Sequence, residues 1–121
     1  MNRPSRTWEL EISTEPVAGG IVLAAKGRIG SVSASQFEDA VGAALAAAPR
    51  IIIDMAGVDY ISGAGIRALQ QTAATSGGRT VLCGLHDAVR IALALSRALD
   101  GVVIAKDRQE ALESLITDHS S

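Results

Sequence analysis

The residues best suited to chemistry lie in one segment, 62–68, which reads Ser-Gly-Ala-Gly-Ile-Arg-Ala. The segment follows an apolar stretch and opens a predicted helix, so backbone N–H groups and the positive end of the helix dipole would face the preceding loop. Read as GxGxxA, it is similar to a dinucleotide-binding fingerprint. That fingerprint needs a tight turn after the first strand of a fold, whereas about six residues separate these glycines from the third predicted strand. Nucleotide binding is therefore a minor alternative.

Two other interpretations fit the same segment. A phosphate at a helix N-terminus meets favourable dipoles and changes the surface charge by nearly two units, so the segment could be a phosphorylated point of protein recognition. In the simpler interpretation, Ser62 caps the helix and the two glycines let its first turn lie close to neighbouring backbone. Spacing alone favours the simpler interpretation.

The remaining reactive side chains are isolated in the sequence. His86 and His119 have no partner motif, and the chain contains neither HExxH nor a Cys/His cluster that would predict a metal site. Cys83 lies in a strand pattern without a CxxC partner, which predicts a buried and inert thiol. Asp54 and Asp59 share a predicted loop, where solvation and turn formation are favoured over acid–base work. We therefore expect no enzymatic activity, no cofactor and no metal.

Composition excludes several further classes of function. The 121 residues are 48% hydrophobic and 20% charged, which predicts one globular domain. The formal net charge is −2 and only three residues are aromatic (Trp8, Phe37 and Tyr60), so neither a basic stripe nor a base-stacking platform is available for nucleic acid. The sequence has no run of 18 apolar residues, so membrane insertion is not predicted. The single cysteine fits a reducing compartment. We expect a cytoplasmic protein.

Hydrophobic periodicity predicts the elements that must position the 62–68 segment. Strands are predicted at residues 8–12, 21–25, 51–53, 80–83 and 102–104, and helices around Phe37, Ile66, Ile91 and Leu112. The order β-β-α-β-α-β-α-β-α predicts an α/β fold with a mixed, mostly parallel sheet and an initial antiparallel hairpin. We expect residues 8–12 at an edge and residues 51–53 inside, within one domain over 1–121 whose ordered core spans roughly 7–117.

The same periodicity predicts which side chains are buried and where the connections lie. A turn is expected at residues 16–20, a loop at 54–61 and an Asp107 cap on the last helix. The predicted buried positions are Ile66, Leu69 and Ala73 in the second helix, Ala88, Ile91, Ala92, Leu95 and Leu99 in a third helix over 87–99, and Ala111, Leu112, Leu115 and Ile116 in the fourth. The second helix would then present Gly63, Arg67, Gln70 and Gln71 to solvent.

Residues 51–69 carry a recognisable pattern. An apolar strand ends in Asp54, and Gly57-Val58 leads through the aromatic Tyr60 to small residues and glycine at a helix start. This segment resembles the signature of STAS domains, which occur as bacterial anti-sigma factor antagonists and as cytoplasmic tails of sulfate transporters. Further matches to the family are Gly27-Arg28-Ile29, Val81-Leu82-Cys83-Gly84 and Gln109-Glu110-Ala111-Leu112. The resemblance spans nearly the whole chain and implies the element order predicted above.

The resemblance also implies a function and a set of site residues. It implies a regulatory domain that binds an anti-sigma factor with a kinase-like fold and thereby controls sigma factor availability. The alternative is an accessory subunit of a transporter or of a multiprotein sensory complex, and the oligomeric state stays open. The predicted partner-binding and switch residues are Gly30, Ser31, Ser33, Ser62, Gly63, Ala64, Gly65, Arg67, Gln70 and Gln71.

The chain departs from the family pattern at three switch positions. Gly63 stands where the family carries its phosphorylated Ser or Thr, Ser62 replaces the preceding acid, and Gly30 replaces the Asp that follows the first-helix motif. Gly63 has no hydroxyl, so phosphorylation is not expected there. Ser62 is a candidate only through a register shift that would give up a helix cap worth about 1 kcal/mol.

Overall fold

A computed structural model describes residues 5–6, 9–76 and 78–117 of the chain. Within that part, the strands are β1 (Ser5–Arg6), β2 (Leu10–Val17), β3 (Gly20–Ile29), β4 (Ile51–Ile61), β5 (Thr80–Cys83) and β6 (Val103–Ala105). The helices are α1 (Ala34–Ala47), α2 (Gly63–Ser76), α3 (Asp87–Leu95) and α4 (Arg108–Thr117). Among these described helices, none is both long and apolar enough to cross a membrane.

All six strands form one mixed sheet whose order in space repeats their order in the chain. The pairs β1–β2 and β2–β3 are antiparallel, and the three following pairs are parallel. The predicted α/β class and the initial hairpin are therefore confirmed. The prediction that residues 8–12 form the edge is wrong, because β1 pairs with β2 through Glu11 and Ile12. Trp8 lies outside the described residues.

The hairpin is longer than the sequence predicts. Strand β2 continues to Val17, and only Ala18 and Gly19 form the turn, instead of residues 16–20. Pro16 sits in the strand opposite Ile21, although proline has no N–H to donate. Among the described residues, the outer edge of β2 has no partner strand beside Pro16, and such an edge is where a strand tolerates proline.

Strand β4 also extends further than predicted, through the whole segment 54–61 that was expected to be a loop. Its pairing with β3 shifts register twice, so β4 holds an extra residue before Gly57 and another before Tyr60. These bulges keep Met55, Val58 and Ile61 buried at intervals of three residues. The alternation that identifies a strand in a sequence has a period of two, which is why the pattern was missed.

The sheet is covered on both faces, but unequally. Helices α1, α2 and α3 pack on one face and bury the larger cluster, which includes Phe37, Leu69 and Leu93. Helix α4 covers the other face through Ala111 and Leu115. Ile51, Ile52 and Ile53 have no exposed surface, which confirms their predicted place inside. Because successive strand residues point to opposite faces, Ile52 belongs to the α4 side and its two neighbours to the other.

The exposed face of α3 was predicted incorrectly. The helix buries Val89 and Leu93, whereas Ile91 is 52% exposed and Leu95 is 81% exposed. The helix also ends at Leu95 instead of Leu99, because the following residues reverse direction. Ala98 lies after that reversal and is buried, although it belongs to the turn and not to the helix.

Smaller errors affect three other elements. Helix α2 buries Ala68, Leu69 and Thr72, while Ile66 and Ala73 are only half-buried. The last strand begins one residue later than predicted, and Ile116 at the end of α4 is 62% exposed instead of buried. The predicted cap is present, since Asp107 Oδ1 accepts a hydrogen bond from the Glu110 N–H at 2.9 Å.

The reversal after α3 is a Schellman motif built without glycine. The Ala98 N–H donates to the Leu93 carbonyl at 2.9 Å, and the Arg97 N–H donates to the Ala94 carbonyl at 3.1 Å. Arg97 therefore occupies the left-handed position, with φ at 63°. A left-handed backbone costs a non-glycine residue about 1–2 kcal/mol, and glycine avoids most of that cost.

We expect Arg97→Gly to raise the free energy of unfolding by about 1 kcal/mol, measured by urea denaturation. Arg97→Ala is the matched control, since it also removes the exposed ion pair to Asp100 but keeps a Cβ in the left-handed region. Equal effects of the two substitutions would show that the backbone at this position is not strained.

Candidate docking site

Two predicted site segments meet at the carboxyl ends of β3 and β4. The two strands are parallel and end opposite each other, at Ile29 and Ile61. Loop 30–33 follows β3, and the start of α2 follows β4. The Ser62 N–H donates to the Ile29 carbonyl at 2.8 Å, which joins the second segment to the end of the first strand.

The hydroxyl of Ser62 is occupied by the cap of α2. Its Oγ accepts a hydrogen bond from the Gly65 N–H at 3.2 Å, and the Ser62 carbonyl accepts the first helical bond from Ile66 at 2.8 Å. The side chain is half-buried and lies against the backbone. This is the geometry that the simpler interpretation of the segment predicts.

The two glycines of the segment differ in their surroundings. Gly63 is exposed, and the nearest atom to a Cβ built there is Arg67 Nη1 at 3.8 Å, so a side chain fits. Gly65 is buried, and a Cβ there would lie 2.7 Å from side-chain atoms of both Ile29 and Ile61. The Ile29 carbonyl oxygen would be 2.9 Å away. Gly65 is therefore required for the close approach of α2 to the sheet.

The solvent face of α2 carries polar residues. Gly63, Arg67, Gln70 and Gln71 are exposed, and Ala64 is half-buried. The Gln70 side chain donates from Nε2 to the Ser96 carbonyl at 2.8 Å and so connects this face to the end of α3.

Ser96 directly follows Leu95, which is exposed, as is Ile91 one helical turn earlier in α3. Sequence reasoning assigned both to the core, because their helical spacing resembles that of a buried stripe. The sequence did contain a signal for the correct face. Val89 and Leu93 are four residues apart, as Ile91 and Leu95 are, and it is Val89 and Leu93 that the structure buries.

Loop 30–33 contains both buried and exposed positions. Gly30 and Ser33 are buried, whereas Ser31 and Val32 are exposed. The Ser33 Oγ accepts from the Gly30 N–H at 3.0 Å and lies 2.8 Å from Glu9 Oε1 and 3.0 Å from the Arg28 carbonyl. These last two acceptors share its single proton. Gly30, Ser33 and Gly65 thus shape the surface from within, and Glu9 is a contributor that sequence reasoning missed.

The remaining reactive side chains take part in packing and hydrogen bonding within the fold. Cys83 is fully buried, and burial together with the Asp54 carboxylate raises the pKa of its thiol from 9.0 to about 12. Asp54 accepts from the Ala56 N–H at 3.0 Å and from Arg108 Nε at 2.9 Å, so it fastens α4 to β4. His86 Nε2 lies 2.7 Å from the Ala56 carbonyl oxygen.

No group of His, Cys, Asp and Glu side chains within residues 5–6, 9–76 and 78–117 is arranged to hold a metal ion. The predicted isolated residue His119 lies outside that range. Asp59 is exposed at the end of β4.

Comparison with known proteins agrees with this architecture. The model of the STAS domain family matches residues 9–111. The chain belongs to the STAS domain family. An anti-sigma factor antagonist from Mycobacterium paratuberculosis has a similar structure, with a TM-score of 0.80 and 23% sequence identity over 92% of this chain and 97% of that one.

Two further structures extend the comparison. An anti-sigma-factor antagonist (STAS) domain protein from Planctomyces limnophilus gives a TM-score of 0.76 at 19% identity, covering 88% of this STAS domain and 98% of that chain. Murine Solute Carrier 26 family member A9, an anion transporter, gives 0.67 at 17% identity, covering 84% of this chain and 18% of that one. At such identities the likeness establishes the fold. A search of curated protein sequences finds no match.

The contrast between the two glycines gives a direct test of the site's construction. We expect Gly65→Ala to lower the free energy of unfolding by about 1–3 kcal/mol, because the added methyl group would overpack against Ile29 and Ile61. Gly63→Ala is the control in the same helical turn and should leave stability within about 0.5 kcal/mol. Urea denaturation measures both. A Gly65→Ala variant as stable as Gly63→Ala would contradict the close-packing role.

Proposed function

We propose that this STAS domain is a regulatory protein-binding domain that docks onto an anti-sigma factor with a serine-kinase-like fold and thereby controls the availability of a sigma factor. The observation that carries the proposal is the exposed face of α2, where Gly63, Arg67 and Gln70 lie above a closely packed first helical turn. A rigid helix start that presents polar side chains suits recognition of another protein. The proposed partnership is cytoplasmic and involves neither a cofactor nor nucleic acid.

Two exposed apolar side chains of α3 support a protein partner. Ile91 and Leu95 are far more exposed than core residues, and Leu95 directly precedes Ser96, whose carbonyl accepts a hydrogen bond from Gln70 of α2. Exposed apolar residues are common where proteins contact each other. We therefore include Ile91 and Leu95 in the docking surface, together with Ser31, Gly63, Ala64, Arg67, Gln70 and Gln71.

We further propose that docking is not regulated by phosphorylation of this segment. Gly63 offers no hydroxyl, and the Ser62 hydroxyl is engaged with the Gly65 N–H. Phosphoryl transfer requires an in-line approach, so a misplacement of about 1 Å costs roughly a hundredfold in rate. This domain would then act as a binding protein fixed in one state.

The alternative function is that of an accessory subunit in a transporter or a sensory multiprotein complex. The observation in its favour is the similarity to the anion transporter, in which the matching region is a small part of a much longer chain. Both functions use a protein-docking surface, so they differ in the partner and not in the chemistry.

A charge reversal at the centre of the surface tests the location. We expect Arg67→Glu to weaken binding to the purified anti-sigma factor at least about tenfold, because it removes a cation from the interface and introduces an anion. The melting temperature should stay nearly unchanged, since Arg67 is exposed. Lys106→Glu makes the same charge change at an exposed position next to α4 and should leave binding intact.

Titration calorimetry with both variants measures the two affinities. If Arg67→Glu and Lys106→Glu weaken binding equally, the loss of affinity comes from the change in net charge, and the proposed surface is contradicted. Binding that survives Arg67→Glu would place the interface elsewhere. If the anti-sigma factor does not bind the unaltered protein, the transporter or sensory alternative takes its place.

Phosphorylation gives a separate test. We expect the protein to remain unmodified when it is incubated with ATP and its anti-sigma factor kinase, as judged by intact mass. Gly63→Ser should gain one phosphate, because the site has room for a side chain and would present a hydroxyl to solvent. A stoichiometric phosphate on the unaltered protein that is lost in Ser62→Ala would overturn the expectation.

A further inference from the structure

The obstacle to a side chain at Gly30 differs from that at other tightly packed glycines. At Gly20, Gly27 and Gly65, a Cβ would meet a backbone oxygen, that of Arg50, Glu9 or Ile29 respectively. At Gly30 the three nearest atoms all belong to the carboxylate of Glu9, with both oxygens 2.9 Å and Cδ 3.2 Å from the Cβ position. The backbone of Gly30 is also outside the left-handed region. The nearest obstacle to a residue-30 side chain is therefore the Glu9 carboxylate, the end of a flexible side chain rather than backbone.

The same carboxylate is connected to the loop by hydrogen bonds. Ser33 Oγ lies 2.8 Å from Glu9 Oε1 and accepts from the Gly30 N–H at 3.0 Å. Ser33 has no exposed surface, so its hydroxyl is shielded from water, whereas the Glu9 side chain is half-buried. The backbone of Glu9 is held in turn, because its carbonyl accepts from the Arg28 N–H at 2.9 Å.

We propose that Glu9 is the positioning residue of loop 30–33, and that its carboxylate takes both the space and the hydrogen-bonding role of a side chain at residue 30. The chain thereby supplies a negative charge to this loop from the segment before β2, while residue 30 itself remains glycine. The position of the loop in the docking surface rests on the proposed function. The positioning by Glu9 does not.

A double-mutant cycle that moves the carboxylate tests the proposal in the isolated protein. Glu9→Ala removes the carboxylate, and Gly30→Asp alone places a second carboxylate against the first. The combined Glu9→Ala/Gly30→Asp variant holds one carboxylate again, now attached to residue 30. The readout is the hydrogen-exchange protection of the Ala34 amide, which donates to the Gly30 carbonyl at 2.9 Å.

We expect each single substitution to reduce the protection of the Ala34 amide about tenfold, as for the loss of a hydrogen bond to a charged group. The combined variant should return to within about threefold of the unaltered protein. Single effects that simply multiply in the combined variant would overturn the proposal, because they would show that the two positions do not share one carboxylate.

Three further variants separate this role from general destabilisation. Glu9→Gln keeps an oxygen that can accept from Ser33 and should lose less protection than Glu9→Ala, whereas Ser33→Ala should lose as much as Glu9→Ala does. Gly42→Ala controls for glycine replacement as such, because a Cβ there would meet nothing within 4 Å beyond its chain neighbours and its own helix backbone. Protection lost equally in Glu9→Gln and Glu9→Ala would also contradict the proposal. None of these measurements uses a partner, so their failure leaves the docking proposal intact, and failed docking leaves this one intact.

Discussion

The close approach of α2 to the ends of β3 and β4 is the constraint on which the candidate docking site depends. Gly65 lets the first helical turn pack against Ile29 and Ile61. Ser62 caps that turn through its hydroxyl and joins it to the end of β3 through its N–H. A bulkier residue at position 65 would lift the helix from the sheet and change the position of every exposed side chain on it. The exposed surface of the helix is therefore positioned by buried atoms.

The same arrangement separates the structural and functional demands on a short segment. Its inner residues, Ser62 and Gly65, are engaged in capping and packing, while Gly63 and Arg67 are directed to solvent. Such a division allows the outer residues to change without loss of the fold. The chain can consequently carry glycine at residue 63 and keep the cap and the packing of its helix start.

Sequence patterns predicted the elements better than their details, for physical reasons. The apolar run at 51–53 and the helical spacing around Phe37 reflect burial directly, and both were placed correctly. The second half of β4 was missed because its bulges replace alternation by a three-residue interval.

The errors at the site have a different origin. The face of α3 was misassigned because two apolar stripes share the helix, and the non-glycine Arg97 gives no signal that the helix ends before it. Glu9 was missed because its contact with loop 30–33 joins residues far apart in the chain, which no local pattern reveals. The exposed face of α2 could be predicted from hydrophobic periodicity alone. The contacts of loop 30–33 could be known only from the structure.

The unequal covering of the sheet has a consequence for synthesis on the ribosome. Because neighbouring strands are also consecutive in sequence, the sheet can form strand by strand as the chain emerges. Three helices are already available for one face by the time β6 appears, but α4 is the last described element of the chain. Until it docks, Val22, Ile52 and Val81 lie on an uncovered apolar surface. A helix of 10 residues is not stable alone, so a nascent chain stopped before Leu115 would keep an aggregation-prone face that chaperones bind.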